Sequence, residues 1–546
     1  MKKGTAASKG YGIGYVYLKK SESIEIASAT RNIDAQVERQ KLAVAVEDSR
    51  EQLAKIRDRV HAEVGEEEAF VFDSHLMLLD DPEFTGAAFE NIKNDKISAE
   101  LAVQGLIDTY VEIFSSIEDE YLKERIADVK DVGRRLLNNL SGKREEDFSK
   151  LSENTIVVAH DLTPSDTAQL DKSKVAAFLT DIGGKTSHSA IMARTLEIPA
   201  VVGMGDISEA VKNGDLIIVD GIKGEVIINP DIETLNKYKS IKNLYDEEKL
   251  KLKELVNKRL VYKNLKHIEI AANIGSPEDV KKVIENGADG IGLFRTEFLY
   301  MDRDTMPTED EQYNAYKTVL EKMENKPVVI RTLDVGGDKK LKYLEMPEEM
   351  NPFLGYRATR FCISRPDIFK VQLRALLRAS IFGNLKIMFP MIATLKEFLE
   401  AKEILNQCKA ELKAENLKFS DKIEVGIMVE IPSAALNADI LAEHVDFFSI
   451  GTNDLIQYTL AADRMNERVS YLYEPMNPAV LKLIKMTIEE AHKAGKWCGM
   501  CGEMASDEAA VPTLLEYGLD EFSMNAASIL NTKKLMLTFD GIKAED

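Results

Sequence analysis

His188 stands in the run Gly183-Gly184-Lys185-Thr186-Ser187-His188-Ser189-Ala190-Ile191-Met192-Ala193-Arg194, where residue types and order suit the carrying of an anion. A lone histidine is most often a surface or satisfied core residue; here the neighbours change the reading. The glycine pair allows a tight turn whose backbone amides can approach negative charge. Thr186 or Ser187 can cap a helix predicted over Ser189–Leu196. His188 then lies at a helix N-terminus, where the dipole and unpaired N–H groups favour an anion. Those groups would stabilise a phosphoryl group on an imidazole nitrogen and help keep the free ring neutral, hence nucleophilic.

A second set of reactive types falls where β-strands are predicted to end. Arg295 follows one strand, Arg331 ends the next, Glu430 ends another, Asn453-Asp454 follow a fourth, and Arg464 lies in the loop after it. Planar guanidinium groups bind phosphate and carboxylate well. Glu430 and Asp454 are hard oxygen donors on neighbouring strands. They could be satisfied by backbone amides, or hold Mg²⁺ together with substrate oxygens and water. Lys339 and Arg357 sit in loops expected to face the same mouth. Cys498 and Cys501 have a Cys-x-x-Cys spacing, but no second pair exists and Cys362 and Cys408 are isolated, which argues against a zinc site. Cys498 reads as a packing residue of a strand.

These residues need elements to position them. Strand candidates Ile268–Asn273, Gly290–Phe294, Val328–Thr332, Lys386–Pro390, Glu424–Glu430, Phe447–Gly451, Lys496–Gly499 and Glu521–Met524 alternate with helical patterns. Eight such units predict a closed (β/α)₈ barrel, with an open doubly wound sheet as the alternative. Little chain remains after Met524 for a closing helix. In the first half, Val37, Leu42, Val46, Leu53, Ile56, Val60 and Val64 follow a helical period, whereas short strands are predicted at Gly14–Leu18, Thr155–Ala159, Val175–Thr180, Ala200–Gly203, Leu216–Asp220 and Glu225–Asn229. The helices therefore look inserted into a small α/β domain. Gly10, Gly12 and Gly14 read as a turn, because a nucleotide loop would follow a strand and not precede one. The expected fold is α/β multidomain: a swivelling α/β domain (1–32 and 141–230) carrying His188, an inserted helical bundle (33–140), a solvated helical linker (231–260), and a C-terminal (β/α)₈ barrel (261–546).

The whole chain has 546 residues, is 45% apolar and 30% charged, and carries a formal charge of −21. Such an acidic surface disfavours nucleic acid and anionic lipid as partners, and a bound anion would require local clusters of Arg and Lys. No apolar run approaches a membrane span, no signal core follows Lys2-Lys3, and four cysteines suit a reducing compartment, so a cytoplasmic protein is expected.

The run Gly183–Arg194 is similar to the phosphohistidine motif of the phosphoenolpyruvate (PEP)-utilising enzymes. The resemblance extends from about residue 1 to residue 530, through Asp161-Leu162-Thr163-Pro164-Ser165, Gly292-Leu293-Phe294-Arg295-Thr296-Glu297 and Phe448-Ser449-Ile450-Gly451-Thr452-Asn453-Asp454. It is nearest to the branch that phosphorylates the small carrier HPr at the head of sugar phosphotransferase systems. Relatives that use ATP would carry a nucleotide-grasping domain where the helical block stands here. The resemblance implies PEP as donor, pyruvate as product, Mg²⁺ as cofactor and a homodimer formed through the barrel. It implies that His188 is the phosphorylated residue and that Arg295, Arg331, Asn453, Asp454 and Arg464 bind PEP. Glu430 and Asp454 would hold the metal, and Cys501 would protonate the enolate. In the helical block, Glu67, His75, Leu78, Glu83 and Phe84 mix acidic and apolar character around Pro82; they form either a solvated helix–turn or a docking surface for a basic carrier.

Overall fold

Alternating apolar residues build the first sheet of the computed structural model, which describes residues 1–19, 33–63, 66–115, 120–142, 148, 151–184, 187–262, 266–301, 303–337, 339, 341, 343–344, 346–464, 466 and 468–545. Two compact units make up the chain, Met1–Glu247 and Glu248–Asp546. In the first, eight strands form one sheet: β1 (Lys2–Lys3), β2 (Thr5–Ser8), β3 (Tyr11–Leu18), β4 (Thr155–Ala159), β5 (Val175–Thr180), β6 (Ala200–Val202), β7 (Leu216–Asp220) and β8 (Glu225–Ile228), in the order β1-β8-β7-β3-β4-β5-β6-β2. Strands β3 to β6 are parallel, with antiparallel pairs on either side. On β4, Val157 and Ala159 join one buried cluster with Phe178, Ala190 and Ala193, whereas Ile156 and Val158 join another with Ile207 and Val211. The period of two thus buries both faces of the sheet.

Of the glycine run, only Gly10 lies in the turn expected from the sequence, at φ +129° between β2 and β3. Gly12 and Gly14 lie within β3, and they are glycines because neighbouring backbone is too close for a side chain. A Cβ at Gly14 would lie 1.8 Å from Asn154 O, and one at Gly12 2.7 Å from Ala176 O. Between β3 and β4 run helices Ala35–Glu63, Glu66–Asp80, Thr85–Asp95, Ala99–Ser115 and Glu120–Ser141. They close around a core of their own that includes Leu42, Leu53, Phe72, Phe84 and Val132.

The helix that follows the sheet, Ile232–Lys253, stops short of the span expected for it. Leu260 is fully buried in strand β9 (Arg259–Val261), which pairs with β10 (His267–Ile274) and with the late strand β18 (Lys543–Glu545). After β10 come β11 (Gly290–Arg295), β12 (Pro327–Arg331), β13 (Asn384–Phe389), β14 (Glu424–Val429), β15 (Phe447–Ile450), β16 (Trp497–Met500) and β17 (Glu521–Asn525). Each pairs in parallel with the next, and β10 pairs in parallel with both β11 and β17. The ring is closed, which excludes the open sheet. A short helix, Ile529–Met536, follows the last barrel strand.

Leu293, Val329, Met388, Met428, Phe447 and Cys501 fill the barrel interior. The N-terminal end of the barrel holds Glu269 and Glu521, register partners on β10 and β17. Burial, then the charge of Glu269, pushes the Glu521 carboxyl up to about 8. A carboxyl raised in the fold favours folding fully below its unfolded value, and that contribution is lost as pH climbs through about 8. Glu521→Gln removes the ionisable group at constant shape. It should raise the melting temperature of the barrel at pH 8.5 by at least about 3 °C, and less at pH 5; a fall in melting temperature at pH 8.5 would contradict this.

Candidate active site

The His188 loop begins at Asp181, a buried carboxylate that accepts from Ser208 N–H at 2.9 Å, from the Ser208 hydroxyl, and from His160 Nδ1 at 3.1 Å. Gly183 has φ +112°, and Gly203 passes so near that a Cβ there would lie 2.7 Å from Gly183 O. Ser187 is the N-cap of helix His188–Thr195, its Oγ accepting from Ala190 N–H at 3.3 Å. The helix therefore starts one residue earlier than expected, with His188 as its first residue. Lys185 and Thr186 lie outside the described residues, and for His188 and Glu67 the description covers the backbone and not the side chain.

At the C-terminal end of the barrel strands, buried charges interlock. Arg331 closes β12 and is 6% exposed. Its Nη2 donates to Glu297 and lies 3.2 Å from Asp334, while among the described residues Nη1 meets only Met428 Sδ, at 3.7 Å. Lys339 donates to Glu297 at 2.7 Å and to Asp334 at 3.0 Å. Arg357 donates through Nη2 to Asp334 at 3.1 Å and to Asp454 at 3.3 Å, and through Nη1 to the Tyr458 hydroxyl at 3.2 Å. Asp334 thus holds three cations. Burial alone would raise its carboxyl, but Arg331, Arg357 and Lys339 pull it far below the usual carboxylate range. Glu297 is held down by Arg331 and Lys339 in the same way.

Glu430 shares this neighbourhood and behaves oppositely. It follows β14, is 2% exposed and accepts from Met391 N–H at 2.6 Å. Burial, then the charges of Asp454 and Asp334, pushes it up to about 8. A buried carboxyl raised by its acidic neighbours is one that a hard divalent cation would relieve. As hard oxygen donors, Glu430 and Asp454 are of the type that Mg²⁺ prefers. Asp454 lies in the first turn of helix Thr452–Leu460. Beside it, Asn453 donates to Glu503 Oε1 at 3.2 Å. The Tyr473 hydroxyl donates to Asn453 O at 3.4 Å and is also hydrogen-bonded to Arg464. Arg295 is exposed at the end of β11, in register with Arg331.

Cys501 and Cys498 do not form a pair. Cys501 points into the barrel interior, whereas Cys498 packs into the core between strands and helices. Burial pushes the Cys501 thiol up to about 11, with the Ser449 hydroxyl and Arg331 pulling it back. Cys501 is therefore a protonated thiol near neutrality.

Glu297, Asp334 and Tyr458 were missed from the sequence. The first two follow strand-end arginines by two and three residues, a spacing that could have marked them as counter-ions. In the helical block the expected docking set divides. His75 and Phe84 are fully buried, His75 bonded to Asp128 at 3.0 Å, so they belong to the core and cannot face a partner. Leu78 is half-buried and Glu83 exposed. On helix Glu66–Asp80 the exposed apolar side chains among the described residues include Phe70 and Met77.

Replacing Asp334 by Ala would leave three cations without their shared anion. It should cost about 3–5 kcal/mol in denaturant unfolding of the barrel; a cost below about 1 kcal/mol would show that the cluster does not depend on it.

Comparison with known proteins adds a family. The chain matches the PEP-utilising enzyme, PEP-binding domain, over 249–540; the PEP-utilising enzyme, N-terminal, over 3–125; and the PEP-utilising enzyme, mobile domain, over 151–224. It is 56% identical over 529 residues to the phosphoenolpyruvate-protein phosphotransferase of Bacillus subtilis (strain 168), spanning 97% of this chain and 92% of that protein. The protein of the same description from Priestia megaterium is 54% identical over 531 residues, 97% of this chain and 92% of that one. The Listeria monocytogenes protein is 54% identical over 538 residues, 98% and 94%.

Proposed function

The chain belongs to the family of PEP-utilising enzymes, and on that premise we propose that it is a PEP:protein-histidine phosphotransferase, passing the phosphoryl group of PEP to His188 and then to a histidine of an HPr-type carrier. The observation that carries the reading is the cluster of buried Arg331 and Arg357 with half-buried Lys339 at the barrel mouth, beside the carboxylates of Glu430 and Asp454. PEP is a small trianion, and an acidic chain binds it only where cations are gathered and held.

In this reading Arg295, Arg331, Asn453 and Arg464 bind the phosphate and carboxylate of PEP, with Lys339 and Arg357 behind them. Glu430 and Asp454 would hold Mg²⁺, which neutralises charge on the transferring phosphoryl group. The neutral His188 imidazole attacks phosphorus, and the bond from phosphorus to the enol oxygen breaks. The enolate carbon then takes the proton of the Cys501 thiol, giving pyruvate. The phosphohistidine passes its group to the carrier, so the His188 domain must serve two sites in turn.

The carrier's platform follows from exposure. Phe70 and Met77 stand one heptad apart on helix Glu66–Asp80, 65% and 72% exposed, with acidic Glu83 beyond its end. An apolar centre with an acidic rim suits a basic partner, and Glu67 and Leu78 belong to the same helix. No helix among the described residues is long and apolar enough to cross a membrane, and we place the reaction in the cytoplasm. We also propose a homodimer through the barrel, whose outer helices expose Leu399, Leu436 and Ile440.

The test is pyruvate release from PEP with Mg²⁺ and carrier. His188→Ala should lower turnover by more than about a thousandfold, and Cys501→Ala should slow pyruvate formation at least tenfold with PEP affinity kept within about threefold. Undiminished turnover in His188→Ala, or a requirement for ATP, would overturn the assignment. Met77→Ala with Phe70→Ala should raise the KM for the carrier about tenfold while leaving self-phosphorylation unchanged; an unchanged KM would remove this face as the platform.

A further inference from the structure

Cys501 gives up its proton once in each turnover and must recover it while 4% exposed inside the barrel. Beneath it lies a carboxyl that the reaction described above does not use. Glu521 on β17 is 2% exposed and pairs in register with Gly499 of β16, two residues before Cys501, hence about 6.6 Å lower along the strand. Glycines make the space it occupies. A Cβ at Gly292 would lie 2.0 Å from Glu521 Oε1 and 2.5 Å from Ser523 Oγ, and one at Gly499 would lie 3.3 Å from Glu521 Cδ. The carboxyl therefore points into the barrel, alongside the Ser523 hydroxyl. Among the described residues its Oε1 has no hydrogen-bond partner, and the buried Ser449 hydroxyl stands beside the Cys501 thiol. Above Glu521 the column continues through Ser523 Oγ, which donates to Asn273 Oδ1 at 2.7 Å, and Asn273 Nδ2, which donates to Cys501 O at 3.0 Å.

We propose that Glu521 resupplies the proton of Cys501 after each turnover, acting through the hydroxyl-lined barrel interior; this rests on the phosphotransfer reading given above. The S–H bond of Cys501 breaks as the C–H bond of pyruvate forms, leaving a thiolate. The O–H bond of Glu521 then breaks as the S–H bond is remade, leaving a carboxylate. That carboxylate regains a proton from water at the barrel floor by way of Glu269, its half-buried neighbour on β10. No electrons change hands and no co-reactant beyond water is consumed.

The floor is arranged to keep Glu521 loaded. Glu269 faces it from β10, Asp520 precedes it, and Lys386 reaches in from β13, paired at 2.9 Å with Glu424 of β14. Trp497 stacks on Phe447 at 4.4 Å and donates to Glu424 at 2.9 Å, which closes the floor between β15 and β16. With its carboxyl raised to about 8, Glu521 is protonated near neutrality, and with the thiol raised to about 11 the proton moves downhill to sulfur.

Rapid-quench kinetics with full-length protein, PEP, Mg²⁺ and excess carrier separate the first turnover from later ones. In Glu521→Gln the thiol still holds its first proton. One pyruvate per site should form at the wild-type rate, followed by a steady state at least tenfold slower. The melting temperature should equal or exceed that of wild type, and Glu521→Asp should recover part of the steady-state rate. A wild-type steady state in Glu521→Gln would show that the thiol is reprotonated from the mouth, and would overturn the proposal. So would a first turnover and steady state that fall together. Wild-type protein that forms no pyruvate from PEP would overturn the phosphotransfer reading itself, and the relay with it.

Discussion

Two buried arginines and a half-buried lysine cannot crowd the mouth of a barrel without anions among them, and Asp334 is the anion that all three share. Arg331, Lys339 and Arg357 come from the end of β12 and from the loop after it, and each is within 3.2 Å of the one carboxylate. Desolvating these groups separately would cost far more than any one contact returns. Clustered, they hold one another ionised and oriented. Among the described residues the same arrangement leaves Arg331 Nη1 with only a thioether for company, which suits a binding site for a small anion.

The carboxylates around that cluster are sorted by environment. Asp334 and Glu297 face cations and stay charged, whereas Glu430 faces Asp454 and Asp334 and is raised. One residue type thus serves as permanent counter-ion in one position and as a cation-seeking ligand in another. Cys501 and Glu521 extend the pattern down the barrel axis, where burial keeps both protonated. Reactive groups of graded basicity occupy successive layers of one closed sheet.

The barrel was legible because each strand announced itself as a short apolar run, and strand-end arginines and carboxylates stood out in an acidic chain. The expected strands lie within two residues of those found, since parallel strands buried on both faces leave little ambiguity. Less visible was whatever depends on long-range pairing. Gly12 and Gly14 looked like a turn because nothing local reveals that Asn154 and Ala176 press against them. Leu260 looked like the end of a solvated helix because its partner strands follow it in the chain, β18 by almost three hundred residues. His75 and Phe84 show the same limit: mixed acidic and apolar character around Pro82 suggested a surface, but which side of a helix turns inward is settled by its neighbours. Asp334 escaped notice because a counter-ion has no signature apart from the cations it meets.

In the proposed reaction His188 is the single phosphoryl carrier between the barrel mouth and a protein acceptor. The most direct measurement is the phosphorylated state itself: incubation with PEP and Mg²⁺ but no carrier, then peptide mass spectrometry and ³¹P spectroscopy at alkaline pH, where phosphoramidates survive. One phosphoryl group per chain is expected, in the peptide spanning residues 187–194, with a phosphoramidate resonance that disappears when carrier is added. A phosphoryl group on any other residue, or a His188 phosphate that the carrier cannot remove, would contradict it.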